Sequence, residues 1–548
     1  MWAKGIVATL EEGRPMKLVA AAAVVVALAA PGIARGAGAS LTARDVPLRD
    51  GRVLAASPGT PRVFDLVGLH WRGSGTVLFR TRSVSGCWSA WHAAAEAEDL
   101  PNQGSPESVR SGRWRLGSPY WTGASDAIRY RLRGDVRRLR AYFVRSSAQR
   151  TPLRTLSIAG SPAIVSRLGW NANERIRRAK PRYATALRFA LVHHTAGSNS
   201  YSPTQSAAIV RAIEVYHVLG NGWDDIGYNF LVDKYGQVFE GRYGGVTRPV
   251  IGAHAEGFNT GSVGVALIGT YSTRAPSAAA QVALENLLAW RLDVAHVDPR
   301  SSLTWISGGN PRFPRGTPVF LRAVSGHRDT GFTLCPGGAL YRRLPAIAQV
   351  TAATGLPKLY SPSVKGAVPG LVRFTGRLSE MLPWTVTVTN ARGEAVATGT
   401  GVGTSIGWIW DASTAPKGRY FWMIGAGPGV RPATGTLGAK PPPFKLSGLT
   451  ATPVLVTPNG DGVDDTSTIS YSLSAPASVT ATLVDSTGAT VATLFDGFVG
   501  AGPQSFVFDP AAVPDGTYQV VVTATSSDGI QATGSVFVTV TRAAIPGP

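Results

Sequence analysis

Residues 326–337 read GHRDTGFTLCPG and place His327 and Cys335 eight positions apart between glycines. The chain holds two cysteines, Cys87 and Cys335. Cys335 is therefore open to three readings: half of a disulfide, a small buried apolar residue, or a metal ligand. A third donor bears on the choice. In LVHHTAG, His193 and His194 end an apolar stretch with the character of a buried strand. Consecutive strand residues face opposite ways, so one of the two can aim at a given ion. Two imidazoles and a thiolate match a catalytic zinc site with one position left for water. A structural zinc needs a fourth protein donor, and no second cysteine lies nearby. Such an ion lowers the pKa of its water to about 7 and polarises a carbonyl, which is what amide hydrolysis requires.

The elements that must position these donors lie in residues 165–356, which hold six of the eight histidines. LRFALVHHTA reads as a buried strand and GSVGVALIGTY as another. YNFLVDKYGQVFEGR reads as a hairpin turning near Lys234–Gly236. SPTQSAAIVRAIEVYHVLG reads as a helix with Ser202 as N-cap, Pro203 at the first position and Gln205 closing a capping box. PSAAAQVALENLLAWRLDVAHVDP is a second helix stopped by Pro299, and a third runs through GALYRRLPAIAQVTAATG. Together they predict a mixed central sheet flanked by helices.

The flanks differ. Residues 40–160 are rich in Arg and Trp, with short apolar stretches that predict a β-sandwich-like domain. Arg129, Arg131 and Arg133 alternate along one strand face, either a solvated outer face or a site for anionic polymers. Trp88, Trp91, Trp114 and Trp121 are read as core packing in preference to sugar stacking. Residues 357–548 lack histidine and repeat: GEAVATG at Gly393 returns as GATVATL at Gly488, 95 residues later. That spacing suits two immunoglobulin-like sandwiches, 357–440 and 446–543, joined by GAKPPPFK. Asn459, Asp461, Asp464 and Asp465 in TPNGDGVDDTS offer either a calcium site or a tight turn; the EF-hand pattern is not met.

Net charge is +21 with a pI near 10.4, which favours polyanionic partners. From Met16 the chain reads MKLVAAAAVVVALAAPGIARGAGAS: a lysine, a short apolar run, and small residues before Ser40. Residues 1–39 are thus expected to be an export signal, and no other apolar run reaches transmembrane length. Export makes nucleic acid an unsuitable partner and leaves anionic wall polymers.

With these motifs in hand, residues 165–356 resemble the peptidoglycan recognition protein family, whose enzymatic members are zinc-dependent type 2 N-acetylmuramoyl-L-alanine amidases. The resemblance rests on SRLGWNANERIRR, FALVHHTAG, GWDDIGYNFLVDKYGQVFEGR, GAHAEGFNTGSVGVALIG and SGHRDTGFTLCPG, in the family's order. It implies zinc ligands at His193, His327 and Cys335, a catalytic tyrosine at Tyr228, and an oxyanion helper at Thr333. His254 and Asn259 fall in the family's substrate groove. The implied substrate is peptidoglycan, cut between the lactyl group of muramic acid and L-alanine; members lacking a ligand only bind it. On this reading Cys335 is a zinc thiolate and Cys87 a small buried residue beside Trp88. The sequence offers no glutamate placed to accept the proton of the attacking water. Asp329 is open between orienting His327 and pairing with an arginine. His194, His217 and His296 are read as structural or solvated. The last region resembles the immunoglobulin-like module of flagellar hook-capping proteins.

Overall fold

The structure is a computed structural model that describes residues 34–36, 38–48, 53–54, 61–110, 112, 114–148, 153–156, 158–416, 418–438, 443–526 and 530–542. The apolar run of the expected export signal lies outside the described residues, as do residues 439–442 of the GAKPPPFK linker.

The middle unit is built on a seven-stranded sheet. Its order is Thr155–Leu156, Ile164–Val165, Val238–Glu240, Phe230–Val232, Ser262–Leu267, Phe189–His194, Val324–Gly326. Phe189–His194 pairs in parallel with both of its neighbours, while Phe230–Val232 and Val238–Glu240 form the antiparallel hairpin. Gly236 turns that hairpin with φ +87°, and the Asp233 carboxylate accepts from the N–H groups of Tyr235 and Gln237. Every residue of Phe189–His194 is buried: Phe189 and Leu191 pack with Ala255, Phe258, Val319 and Leu321 on one face, and helices cover the other. Ala190 and Val192 pack with the helices Ala278–Asp293 and Leu344–Ala353. On the opposite face of the sheet, Leu231, Phe239 and Ala266 of the neighbouring strands pack against the helix Ser206–Val215.

All three helices differ in detail from expectation. The first helix opens as a 3-10 turn, Pro203–Gln205, and closes as a π turn, Tyr216–Gly220. The second ends at Asp293, ahead of Pro299, because His296 adopts φ +54° and the Val297 N–H returns to the Leu292 carbonyl. The third is split into Gly338–Tyr341 and Leu344–Ala353, with Pro345 in the first turn of the second piece.

The Arg/Trp-rich region is one continuous nine-stranded sheet where a sandwich of two sheets was expected. The reason lies in its central strand, Phe64–Arg72, which is buried on both faces. Val67, Leu69 and Trp71 join the domain's own core. Leu66 joins Trp121, Tyr142 and Val144 in a core shared with Ile209, Ile213 and Tyr216 of the middle unit. The middle unit thus supplies the second layer. The approach is close: a Cβ on Gly68 would lie 2.0 Å from the Tyr216 ring. Of the four tryptophans expected in a core, Trp121 is buried, whereas Trp88, Trp91 and Trp114 lie half-buried under arginines. Arg129 stacks on Trp88 at 4.6 Å and Arg131 on Trp91 at 4.4 Å. Cys87 is exposed and free, contrary to the buried reading, because it sits in the turn after Ser83.

In the last region the strands of residues 446–540 form sheets of three and five strands around one core. The preceding five strands, Leu359–Gly438, join in one sheet, since the long strands Leu371–Asn390 and Ala395–Asp411 link what a sandwich would separate. The repeat is nevertheless visible in side chains: Tyr420 and Tyr518 each donate to the carbonyl of a proline four residues back, Pro416 and Pro514. Around TPNGDGVDDTS, the Asp465 carboxylate accepts from the N–H groups of Asn459, Gly460 and Gly462, so its oxygens close the turn. No helix among the described residues is long and apolar enough to cross a membrane.

Candidate active site

The parallel pairing of Phe189–His194 with Val324–Gly326 puts Val192 opposite Gly326. One step further on each chain stand His193 and His327, whose rings lie 4.6 Å apart. His193 is fully buried and His327 nearly so. The chain then turns through His327–Asp329 and returns with Cys335, whose carbonyl accepts from the Arg328 N–H. The Sγ of Cys335 accepts from the His194 N–H at 3.4 Å and lies 3.8 Å from His193 Nδ1. His194, on the other face, accepts from the Tyr271 N–H and takes no part.

A fourth group enters from the first domain. Asp99 Oδ1 is 2.8 Å from His193 Nδ1 and 3.2 Å from His327 Nδ1. Its other oxygen accepts from the Tyr228 hydroxyl at 2.6 Å. Next to it, Glu98 accepts from the Thr333 hydroxyl, while Thr333 Oγ1 accepts from the Cys335 N–H at 2.8 Å. Donor atoms of Asp99, His193, His327 and Cys335 all lie within 4.8 Å of one another, and this is the metal-type cluster among the described residues.

The donor chemistry fits zinc. Bonds of about 2.0–2.3 Å in a tetrahedron demand donor separations of roughly 3.3–3.6 Å, and the donor pairs here include separations of 2.8, 3.2 and 3.8 Å, with all within 4.8 Å. Burial presses His193 toward the neutral imidazole that ligates, only partly opposed by Asp99. Burial also disfavours charge on Asp99, but hydrogen bonds from His193 and His327 outweigh it and hold the carboxyl well below its usual range. Burial pushes the Cys335 thiol up, and the Asp99 charge adds to this. An ion held among these donors would reverse that, since a coordinating thiol loses its proton outright.

The remaining predicted residues gather around this point. His254 is fully buried, its ring 5.0 Å from that of His193, and burial drives it well below the usual imidazole range. Gly264 makes room for it: a Cβ there would lie 2.4 Å from the His254 ring. Asn259 Oδ1 accepts from the N–H groups of His254 and Ala255, which fixes the loop. Tyr228 is buried, and burial together with Asp99 raises its hydroxyl far above the phenol range. Asp329 does not touch His327. It accepts from Tyr341 at 2.6 Å and lies 3.7 Å from Arg322. His217 is buried against Trp223, accepts from the Gly227 N–H, and burial lowers it to about 3. His296 is outside the site, against the Leu359 carbonyl. Sequence reasoning missed Asp99 and Glu98. Their signal is the acidic run EAEDLP inside a domain otherwise dominated by arginine.

A family model described as N-acetylmuramoyl-L-alanine amidase matches residues 183–338, and one described as FlgD Ig-like domain matches residues 457–528. Peptidoglycan-recognition protein SC2 of Drosophila simulans is 33% identical over 183 residues, covering 33% of this chain and 84% of that protein. The chain belongs to the peptidoglycan-recognition and N-acetylmuramoyl-L-alanine amidase family. Within this amidase and recognition family, a Sus scrofa protein named N-acetylmuramoyl-L-alanine amidase is 34% identical over 197 residues, 35% of this chain and 28% of that protein. Among solved structures, Drosophila PGRP-LB shares 28% identity, covering 33% of this chain and 91% of that one, with a TM-score of 0.26. The family holds both amidases and non-catalytic receptors.

Proposed function

We propose that this chain is an exported zinc-dependent N-acetylmuramoyl-L-alanine amidase that hydrolyses the lactyl–L-alanine amide of peptidoglycan. The observation that carries this reading is the convergence of His193, His327 and Cys335 on one point with the Tyr228 hydroxyl beside it. His193, His327 and Cys335 would hold the ion, which when bound supplies Lewis acidity toward a water and the scissile carbonyl. Tyr228 donates to the oxygen that gains charge as the carbonyl is attacked, and Thr333 offers a second donor. His254 and Asn259 line the groove for the stem peptide. Incubating the full chain with zinc and muropeptides should release stem peptides that begin with L-alanine, and a chelator should abolish the release. Intact muropeptides under metal-replete conditions, with both the wild-type chain and Asp99→Ala, would refute the reading.

The signal in residues 1–39 supports export to the wall, which N-terminal sequencing of the protein recovered from culture medium tests. The units following it are assigned as 40–160, 165–356, 357–440 and 446–543, with the first boundary moved back because Thr155–Leu156 and Ile164–Val165 pair into the sheet of the second unit. A second reading, a silent peptidoglycan receptor, is favoured by one observation: Asp99 supplies a fourth donor, as in closed structural zinc sites. Retention on insoluble peptidoglycan without turnover, unchanged by chelation, would select it.

A further inference from the structure

We infer that residues Ala97–Gln103 form an intramolecular latch that holds this amidase in a latent state, with Asp99 as a displaceable fourth metal ligand; the inference rests on the site assignment above. Two independent sets of contacts carry it. The first is at the metal point. A catalytic zinc keeps one coordination position for water or substrate, and four protein donors leave none. One oxygen of Asp99 faces both His193 Nδ1 and His327 Nδ1, the nitrogen on the Cys335 side of the His193 ring. A carboxylate that merely oriented one histidine would sit behind its ring, on the nitrogen turned away from the ion. Asp99 stands among the donors.

The second set is in the groove. The Leu100 carbonyl accepts from Asn259 Nδ2 at 2.9 Å, and Asn102 Oδ1 accepts from Asn259 Nδ2 and from the Gly257 N–H at 3.0 Å. Leu100 also packs with Trp223 and Ala253 of the middle unit. A backbone carbonyl and a side-chain amide thus take up the polar groups of the groove loop, as an extended peptide would. Tyr228 is engaged by Asp99, and Thr333 by Glu98. Each residue proposed to touch the reacting amide is bonded to this one segment.

The segment is held at both ends, so it can lift locally and return. On one side Glu96 and Ala97 bridge Gly117 and Leu116 of the first sheet. On the other, Glu107 is buried and pairs with Arg242 at 2.8 Å. Tethering makes the latch a high-concentration competitor for the muropeptide. The competent fraction of the chain, and with it the apparent affinity, is reduced by the same factor.

The test compares the full chain with Asp99→Ala and the isosteric Asp99→Asn, plus Asn102→Ala, which does not touch the metal point. Zinc affinity is read by competition with a chromophoric chelator, and binding of a soluble disaccharide-tetrapeptide muropeptide by calorimetry. Thermal melts check folding. A latch that leaves about a tenth of the molecules open predicts muropeptide binding tighter by about tenfold in all three variants. In the two Asp99 variants zinc should be held more weakly while turnover rises. Unchanged or weaker muropeptide binding overturns the latch, whether or not the wild type hydrolyses. A joint fall of zinc affinity and turnover in Asp99→Asn also overturns it, by assigning Asp99 to the working site. Tighter binding with no turnover in any zinc-loaded variant upholds the latch and refutes the amidase.

Discussion

His193, near the end of one strand, and His327, one residue past the end of the parallel strand beside it, lie 134 residues apart in sequence and have rings 4.6 Å apart. The pairing of Val192 with Gly326 fixes this register, and the turn that follows Gly326 delivers Cys335 to the same point. Removing one donor should therefore unmake the site without unmaking the sheet. Cys335→Ser is expected to lower zinc affinity by at least about 10-fold, the lower end of what even supporting residues of a metal site contribute. Chelator competition measures it, and far-UV circular dichroism should be unchanged.

Tyr228→Phe deletes the hydroxyl proposed to meet the developing charge. Turnover should fall by about 100–1,000-fold, the range for loss of one such donor, with zinc affinity little changed. A fall in zinc affinity matching the fall in turnover would move Tyr228 from transition-state contact to site assembly.

The interface between the first sheet and the middle unit should weaken in acid. His70 is buried, with Nε2 3.0 Å from both the Tyr216 hydroxyl and Asn221 Oδ1, and burial lowers it to about 4. The unfolded chain takes up this proton near pH 6.5 and the folded chain near 4. Stability from this group is therefore complete above 6.5 and is lost as pH falls toward 4, by about 3 kcal/mol. His194 and His217 are also lowered and add to the trend. Thermal melts from pH 7 to 4.5 should show a shallower decline for His70→Gln than for the wild type.

Glu107 lies at the junction of latch and middle unit, with Arg242 at 2.8 Å and its own carboxyl out of solvent. Glu107→Ala leaves the Arg242 charge buried, for which a cost of about 3–5 kcal/mol is expected. Denaturant unfolding measures this, and a change below about 1 kcal/mol would show that solvent replaces the pair.

Much of the site was legible because its parts are local. His193 ends an apolar run, His327 and Cys335 share one glycine-bounded loop, and Tyr228 precedes the hairpin. Each motif carries its own structural context. Asp99 was not legible in that way. It arrives from another domain, 94 residues before His193, and no spacing rule joins the two. The same limit explains the first sheet. Short apolar stretches such as the one around Phe64–Arg72 announced strands, but nothing local stated that their second layer would be the helix Ser206–Val215. The end of Ala278–Asp293 was misplaced because the chain leaves the helix ahead of Pro299 and takes a positive φ at His296, which no local signal in the sequence announced.

Mass spectrometry of a defined muropeptide after incubation with zinc-loaded wild-type and Asp99→Ala chains tests the central claim most directly. The account predicts a stem peptide with a free L-alanine amino group and a disaccharide with a free lactyl carboxyl, both lost on chelation and in Cys335→Ser. Intact muropeptide in both zinc-loaded samples would contradict it.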